Sequence, residues 1–444
     1  MSIRLYNSIA REKQLFEPLD AANVRMYVCG PTVYDYAHIG NARPVVVFDM
    51  LFRLLRQIYG ENHVTYARNF TDIDDKIMIR AEEQGVDISE ISEKYARVYE
   101  EDMAALAALA PTLQPRATDH LPEMIAMTAK LVELGNAYVA DGHVLFDVTS
   151  MPNYGRLSGH SRDELVAGAR VEVAPYKRDA ADFVLWKPSS DDQPGWDSPW
   201  GRGRPGWHLE CSCMSEKHLG ETIDIHAGGQ DLIFPHHENE IAQSECAHGK
   251  VFANYWMHNG YLTVDGEKMS KSLGNFHTVH DLVKDYQGEA LRLSLLAAHY
   301  RQPVDFSRTA VVEQKKRLDR WYRLTADVPP ANEVPASVIA AVSDDINTPK
   351  AIAALEELAK PETAGALLAG ARFMGLLQAD ARQWFQGGVA SDDESSVIEA
   401  LIVERTAAKA EKNWAKADEV RDRLTAMGIV LEDGAGGTTW RRAD

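Results

Sequence analysis

Two short segments far apart in the chain carry side chains that could hold the phosphates of ATP from two sides. They are His38-Ile39-Gly40-Asn41 and Lys268-Met269-Ser270-Lys271-Ser272. Groups of this kind stabilise the negative charge that builds up around the α-phosphate as pyrophosphate leaves. Either segment alone would also fit an ordinary polar turn, because short motifs often match by chance. As a pair in this order, they predict adenylate transfer.

The residues around the first segment predict a strand, a turn and a helix. Val24–Val28 alternates like a strand with one buried face. Beyond Asn41, apolar residues recur on one face of a helix: Val47, Leu51, Leu54, Leu55 and Ile58. His38 and Gly40 are therefore expected at a helix N-terminus, where free N–H groups and the helix dipole favour anions. Gly40 has no Cβ to keep a nucleotide away from the backbone.

Strand-like stretches also precede the second segment and a glycine-rich bend upstream of it. Tyr261–Val264 predicts a short strand that leads into the lysine loop. Lys268 and Lys271 can follow a phosphate as mobile point charges, and such loops often close over bound ATP. The bend Ala227–Asp231 follows another strand-like stretch. Asp231 is expected to accept a hydrogen bond from a ribose hydroxyl, although it could also cap the next helix.

These motifs resemble those of class I aminoacyl-tRNA synthetases, whose two signatures are the HIGH-type and KMSKS segments. Within this class the chain is most similar to the cysteinyl-tRNA synthetase family. Four further segments carry the resemblance: Gly30-Pro31-Thr32-Val33-Tyr34, Asn69-Phe70-Thr71-Asp72-Ile73-Asp74-Asp75-Lys76, Gly206-Trp207-His208-Leu209-Glu210-Cys211 and Phe234-Pro235-His236-His237-Glu238-Asn239-Glu240. The resemblance extends to Trp440. The first signature ends in Asn41 rather than histidine, so the usual role of that histidine has no carrier here.

The resemblance implies a zinc site formed by Cys29, Cys211, His236 and Glu240. Thiolate, imidazole and carboxylate ligands together suit Zn²⁺. His236 and Glu240 are four positions apart and would share a helix face, and Cys29 ends the first strand, where open α/β sheets bind ligands. Without the resemblance the two cysteines would more readily be interpreted as buried packing residues, because the chain has no Cys-x-x-Cys pattern.

The function implied by the resemblance is that of an ATP-dependent ligase. It would activate L-cysteine to cysteinyl-adenylate with release of pyrophosphate and then transfer the cysteinyl group to tRNA(Cys). One zinc ion per chain would bind the substrate thiolate and exclude serine, since a pocket based on shape discriminates isosteres poorly. ATP is expected to bind with Mg²⁺. The implied roles are catalysis for His38, Lys268 and Lys271, ATP binding for Gly40, Asn41, Asp231 and Lys271, and amino-acid binding for Trp207 and His208.

The expected fold class is α/β, with a Rossmann-like parallel-sheet catalytic domain that contains an inserted connective domain. An all-α helical bundle and a small C-terminal anticodon-binding module follow. Helical spacing dominates from Leu282 onward, and a Gly-, Ser- and Asp-rich linker interrupts it near 386–394. The expected boundaries are 1–115 and 206–260 for the two halves of the catalytic domain, 116–205 for the insertion, 261–305 for the KMSKS and stem-contact region, 306–388 for the bundle and 395–444 for the terminal module.

Composition fits a cytoplasmic enzyme that folds without disulfides. Four cysteines in 444 residues argue against a disulfide framework. No apolar run reaches the ~18 residues that a membrane span needs, and the N-terminus is too polar for a signal peptide. The net charge of −19 does not exclude tRNA, because phosphate binding requires only local Lys and Arg. A monomer that binds tRNA(Cys), L-cysteine and ATP, with no membrane contact, is the expectation.

Three other functions remain open from the sequence. A mycothiol-pathway ligase would activate cysteine in the same way but join it to an amino sugar, and the Val397–Trp440 region favours tRNA instead. A non-catalytic zinc protein that binds RNA would not need His38, Lys268 or Lys271. A small-metabolite nucleotidyltransferase would leave the metal ligands and the long helical end without a role.

Trp440 is expected either to stack on RNA bases or to pack on the last helix.

Overall fold

The computed structural model describes residues 2–160, 164, 174–269, 274–386, 392–434 and 437–442. The chain divides into two compact units, of which the first comprises Met1–Gln314 and Val334–Glu356 and the second comprises Lys315–Glu333 and Glu357–Asp444. No helix in the described part of the chain is both long and apolar enough to cross a membrane.

The described residues of the first unit form thirteen strands and most of the helices. Its strands are β1 (Arg4–Asn7), β2 (Glu12–Leu15), β3 (Val24–Val28), β4 (Val64–Arg68), β5 (Ala137–Ala140), β6 (His143–Phe146), β7 (Phe183–Pro188), β8 (Gly203–Pro205), β9 (Ile223–Gly229), β10 (Ala253–Asn259), β11 (Leu262–Val264), β12 (Glu267–Lys268) and β13 (Val304–Phe306). Its helices are α1 (Ile39–Tyr59), α2 (Asp75–Gln84), α3 (Ile88–Ala105), α4 (Leu121–Glu133), α5 (Trp207–Leu219), α6 (Glu238–His248), α7 (Val279–Asp285), α8 (Gly288–Leu296), α9 (Arg308–Thr325, whose residues divide between the units), α10 (Ala336–Ser343) and α11 (Thr348–Glu357).

A parallel sheet in the order β10–β9–β3–β4 forms the centre of the first unit. These strands are mostly buried on both faces, as parallel strands covered by helices must be. Strand β3, the first of this sheet in the sequence, pairs with β4 on one side and with β9 on the other. The strand order therefore changes direction at β3. Ligands of open α/β sheets bind at such a switch point, beyond the carboxyl ends of the strands. Cys29 and Asn69 directly follow β3 and β4 at this edge.

A separate antiparallel sheet, β5–β6–β7–β8, lies in the sequence between the two halves of the parallel sheet. Its apolar side chains, including Phe146, Phe183 and Trp186, join the same buried cluster as residues of α5 and β10. The predicted α/β class with an inserted connective segment is therefore confirmed.

Arg43 fastens α1 to the loops that surround the carboxyl edge of β10. This residue is fully buried, and its guanidinium donates to four backbone carbonyls: those of Gly260, Tyr261, Tyr300 and Gln302. Burial lowers the pKa of Arg43 to about 10, so the side chain remains charged at neutral pH. A planar fork of N–H donors can reach several carbonyls at once, which a lysine ammonium cannot do in the same geometry.

Replacing Arg43 with lysine is expected to destabilise the fold by about 2–4 kcal/mol, because buried carbonyls lose their donors. Thermal unfolding followed by circular dichroism would register this as a midpoint several degrees lower. Arg56→Lys on the same helix is the matched control, since Arg56 pairs with the exposed Glu61 at the surface. Its effect should stay within about 0.5 kcal/mol. Equal midpoints for the two variants would contradict the role assigned to Arg43.

Helical spacing predicts helix throughout this part of the chain, and the structure forms it as three helices over residues 336–373: α10, α11 and a third that begins at Ala364. Asp345 and Ile346 adopt left-handed backbone angles, with φ of 64° and 49°. The buried Asp345 carboxylate accepts hydrogen bonds from the Tyr6 N–H and the Tyr300 hydroxyl, each at 2.8 Å. These tertiary contacts stabilise a break that local spacing does not reveal.

The second unit contains the remaining helices and one antiparallel hairpin. They are α12 (Ala364–Phe373), α13 (Ala381–Gln386), α14 (Asp392–Ala410), α15 (Trp414–Ala426), β14 (Ile429–Gly434) and β15 (Gly437–Arg442). Trp440 is 4% exposed within an apolar cluster that includes Ile398 and Leu424. Its indole N–H donates to Glu399 at 3.0 Å. Of the two expectations for Trp440, packing on the preceding helices is therefore the one observed.

Candidate active site and metal centre

His38 is the N-cap residue of α1 and exchanges hydrogen bonds with Asn41. The His38 Nδ1 atom accepts from the Asn41 N–H at 3.2 Å, and the Asn41 side-chain oxygen accepts from the His38 N–H at 3.2 Å. Because Nδ1 accepts, the proton of the neutral ring must reside on Nε2. Burial lowers the pKa of His38 and favours this neutral form. The Nε2–H group could therefore donate to an anion at the start of the helix.

The capping role of Asn41 was not recognised from the sequence. His-x-x-Asn has the spacing of a capping box, in which the first and fourth residues satisfy each other's backbone N–H groups. Because histidine is an uncommon N-cap residue, the His38–Asn41 spacing predicts nucleotide binding but not a helix cap. The side-chain oxygen of Asn41 is engaged in this local pair.

The two signature segments meet in the structure. The Ile39 N–H donates to His277 at 2.9 Å, and the Val279 N–H donates to Ala37 at 2.8 Å, so the chain after the lysine loop runs antiparallel to the first segment. A Cβ on Gly40 would lie 3.3 Å from the Met269 methyl group. Lys268 is exposed at the end of β12. Lys271, Ser270 and Ser272 lie outside the described residues.

Asp231 follows β9 in a short helical turn, Gln230–Leu232, and its side chain is exposed. Its charge acts on His38, raising the pKa of that ring against the larger effect of burial. The Asp231 carboxylate and the His38 imidazole therefore share one end of the parallel sheet.

The structure brings the four expected metal ligands together although they come from four places in the chain. Cys29 follows β3, Cys211 lies in α5, His236 lies in the kinked turn Ile233–His237, and Glu240 lies in the first turn of α6. Their ligand atoms all lie within 4.8 Å of one another. The His236 Nε2–Glu240 Oε1 distance is 3.0 Å, and the Cys29 Sγ–Glu240 Oε1 distance is 3.4 Å.

These distances fit a tetrahedral cation site. Zinc bonds of about 2.0–2.3 Å separate the ligand atoms of a tetrahedron by roughly 3.3–3.8 Å. Burial raises the pKa of Cys29 and Cys211, so a nearby cation would be needed to hold them as thiolates. Burial also lowers the pKa of His236 to about 3, which keeps its imidazole in the neutral form that binds metals. The buried Oε2 atom of Glu240 lies 3.2 Å from the His226 Nε2 atom, outside hydrogen-bond geometry.

Two further histidines lie at the same place and were missed in the sequence. Cys29, His226, His237 and Glu240 form an alternative set of four that shares two members with the first. His226 lies in the middle of the buried strand β9, with its Nε2 atom 3.4 Å from Cys29 Sγ. A histidine in the middle of a buried parallel strand is an unusual core residue, and that is the available signal.

Trp207 and His208 begin α5 and line a cavity of about 300 Å³ next to the metal ligands. The Trp207 ring stacks on His236, with ring centres 4.2 Å apart, and remains 41% exposed. The His208 and His236 Nδ1 atoms lie 2.9 Å apart. The Trp207 and His208 rings therefore connect this cavity with His236 of the ligand set.

Asn69 holds the backbone that presents Cys29. Its side-chain oxygen accepts from the Gly30 N–H at 2.8 Å and lies 3.7 Å from Cys211 Sγ. A Cβ on Gly30 would lie 1.7 Å from the Asn69 carbonyl oxygen, so only glycine allows β3 and β4 to approach here.

Comparisons with solved structures establish the fold. Methionyl-tRNA synthetase of Mycobacterium tuberculosis, solved with methionyl-adenylate, has a TM-score of 0.53 at 16% identity and covers 85% of this chain and 94% of its own. LeuRS of Agrobacterium radiobacter K84, solved as a ternary complex with tRNA and LeuAMS, has a TM-score of 0.58 at 12% identity over 83% and 85%. A family model described as tRNA synthetases class I (C) catalytic domain matches residues 15–316. The fold and the paired signatures thus define a class I aminoacyl-tRNA synthetase.

Sequence relatives identify the family within this class. Proteins named cysteine–tRNA ligase from Maricaulis maris and Paramagnetospirillum magneticum are 56% and 57% identical over 459 and 461 residues, covering 100% of each chain. One from Parvibaculum lavamentivorans is 55% identical over 462 aligned positions, an alignment that covers 100% of this chain and 98% of the relative. Models of a cysteinyl-tRNA ligase anticodon binding domain and a DALR domain match 391–441 and 337–361. The chain belongs to the cysteine–tRNA ligase family, which confirms the resemblance.

Proposed function

We propose that this protein activates L-cysteine with ATP and transfers the cysteinyl group to tRNA(Cys), selecting cysteine over serine at a zinc site. The convergence of Cys29, Cys211, His236 and Glu240 within 4.8 Å is the observation that carries this proposal. The membership of the chain in the family supports the reaction. The buried thiols and the neutral imidazole support the metal.

The residues at the carboxyl edge of the sheet have separate roles in adenylate formation. The carboxylate of cysteine attacks the α-phosphate, and the bond to pyrophosphate breaks. The His38 Nε2–H donates to the phosphate oxygens as charge develops there, with Lys268 and Lys271 approaching from the lysine loop. Gly40 lets the nucleotide approach the helix N-terminus, Asn41 contributes to this ATP site by fixing the His38 ring through the capping pair, and Asp231 accepts from the ribose. Alignment and charge stabilisation supply the rate, so no covalent enzyme intermediate is needed.

The set with two thiolates is the better zinc site of the two that the structure offers. Zinc favours sulfur and nitrogen ligands, and the alternative set replaces one cysteine with a histidine. A zinc ion held there would supply a soft Lewis acid that prefers a substrate thiolate to a neutral hydroxyl. Trp207 and His208 would orient the amino acid beside it. Shape alone would separate cysteine from serine by only about two orders of magnitude.

Transfer to tRNA is supported by the C-terminal part of the chain, where the anticodon-binding family model matches. We place the catalytic domain at 1–115 and 206–260, the insertion at 116–205, the KMSKS and stem-contact region at 261–305, the helical bundle at 306–388 and the anticodon module at 395–444. The enzyme is proposed to act as a cytoplasmic monomer, with Mg²⁺ accompanying ATP.

Metal analysis combined with pyrophosphate exchange tests the proposal. The purified protein should contain one zinc per chain and should exchange pyrophosphate into ATP with cysteine far faster than with serine. Removal of zinc with a chelator should reduce the cysteine rate, and restored zinc should recover it. An unchanged ratio of the cysteine and serine rates in zinc-free protein would disprove metal selection. If the protein transferred cysteine to an amino sugar rather than to tRNA, the proposed second step of the reaction would be wrong.

A further inference from the structure

The chain after the lysine loop is attached to the first signature segment by both backbone and side chains. Residues 277–279 pair antiparallel with 37–39, as described above. At one end of this pairing the Phe276 ring lies edge-on to the His38 ring, with centres 5.2 Å apart. At the other end the His280 ring stacks on Tyr36, with centres 4.8 Å apart and planes 25° apart. The segment from Tyr36 to His38 thus has one aromatic contact at each end.

His280 also reaches a buried carboxylate on a different helix. Its Nδ1 atom lies 3.5 Å from Asp102 Oδ1 in α3, and Asp102 is 3% exposed. The second oxygen of this carboxylate, Oδ2, is buried without a hydrogen-bond partner among the described residues. A buried, incompletely solvated carboxylate is costly unless a cation compensates it. His280 is the basic side chain within ion-pair distance of Asp102 in the described part of the chain.

The groups around this pair act on the Asp102 carboxyl in opposite directions. Burial raises the pKa of Asp102 to about 6, and His280 opposes that shift, while Glu101 and Asp281 add to it. A protonated imidazole stacked on a tyrosine ring gains cation–π attraction as well as ring packing. Tyr36 in turn meets the edge of Tyr95 from α3, with ring centres 5.4 Å apart. Asp102, His280 and Tyr36 therefore form a continuous contact from α3 to the residue two positions before His38.

We propose that His280 is a positioning residue for adenylate formation, which clamps the segment Tyr36–Ile39 between α3 and α7 so that His38 faces the nucleotide. This proposal rests on the proposed function. His280 does not contact the reacting atoms and acts only through His38. The clamp is needed because the segment Cys29–His38 contains no helix or strand of its own beyond isolated bridges at Thr32 and His38.

Kinetics of cysteine-dependent pyrophosphate exchange test the clamp. His280→Ala should lower kcat about 10- to 100-fold, the range expected when a catalytic group is displaced by a fraction of an ångström to one ångström. The KM for cysteine should not change, since the amino-acid cavity lies elsewhere. His280→Arg keeps a planar cation for Asp102 and Tyr36 and should restore kcat to within a few-fold of the parent. Asp285→Ala on the same helix, where Asp285 forms only an exposed pair with Arg308, is the control and should be neutral.

A double variant separates positioning from a general structural role. If His280 acts through His38, then His38→Asn combined with His280→Ala should be no slower than His38→Asn alone, because the second change has nothing left to position. Losses that multiply would overturn the proposal, as would a His280→Ala enzyme at the parent rate.

A spectroscopic readout keeps the clamp testable without catalysis. Histidine side-chain NMR should show that the pKa of His38 rises toward its ordinary value in His280→Ala, because the released ring is more solvated. In Asp285→Ala the pKa of His38 should be unchanged. An unchanged His38 titration would overturn the clamp even if the parent protein failed to exchange pyrophosphate with cysteine. That last failure would count against the proposed function alone.

Discussion

Cys211→Ser is expected to remove most of the bound zinc and to reduce cysteine-dependent pyrophosphate exchange by at least about 100-fold. Changes to outer-shell partners of metal ligands already cost about 10- to 100-fold, and loss of a direct ligand should cost no less. The thiol of Cys211 is fully buried, so a ligand from solvent cannot take its place at the metal. The measurements are zinc content by atomic emission and exchange at saturating ATP.

Cys213→Ser is the matched control for this variant. Cys213 lies in the same helix and is equally buried, but its sulfur contacts Met127 Sδ at 3.7 Å rather than the ligand set. Its replacement should lower thermal stability slightly and leave zinc content and exchange unchanged. Cys211 belongs to only one of the two possible ligand sets, so a Cys211→Ser protein that keeps its zinc and activity would favour the set with His226 and His237 instead.

His38→Asn should slow cysteinyl-adenylate formation by about 10²- to 10³-fold while leaving stability nearly unchanged. Removal of one preorganised donor to developing charge typically has a kinetic effect of this size. Asparagine is a good N-cap residue and can still accept from the Asn41 N–H, so the start of α1 should survive. His38→Ala should show the same kinetic loss and a further loss of about 1 kcal/mol in the free energy of unfolding.

Comparison of the two variants separates catalysis from capping. Exchange rates at saturating ATP and cysteine report the first role, and thermal unfolding reports the second. His63→Asn, a change in an exposed histidine that follows the other end of α1, should affect neither quantity. An Asn variant that retained a third or more of the parent kcat would mean that His38 acts only as a helix cap.

Local sequence patterns were sufficient to predict the strand and the helix next to the proposed nucleotide site. The strand Val24–Val28 and the helix that follows His38 have the expected positions, since alternation and helical spacing are properties of a few consecutive residues. Over residues 336–373 the same reasoning predicts helix but not where it breaks, because the turn at Asp345 depends on hydrogen bonds from Tyr6 and Tyr300. Those partners are distant in the chain, and helical spacing contains no information about them.

The metal ligands illustrate a different limit. Only His236 and Glu240 are close enough in sequence for a local argument, and Cys29 and Cys211 were selected by resemblance to a family. The alternative ligands His226 and His237 could not have been ranked against them, because the sequence does not specify which side chains from β9 and the turn Ile233–His237 point toward β3. Buried positions in a parallel strand are chosen mainly for packing, so a functional histidine there has no periodic signature.

By itself the sequence determined the class of chemistry, the order of the two signature segments and the α/β character of the catalytic part. These follow from residue types and from short-range periodicity, which a chain displays before it folds. Only the tertiary structure decided that Cys29 meets Cys211 and Glu240, that His38 is both cap and candidate donor, and that His280 joins Asp102 to Tyr36. Each of these depends on which distant elements are packed together, and that is set by burial of the whole core rather than by any one segment.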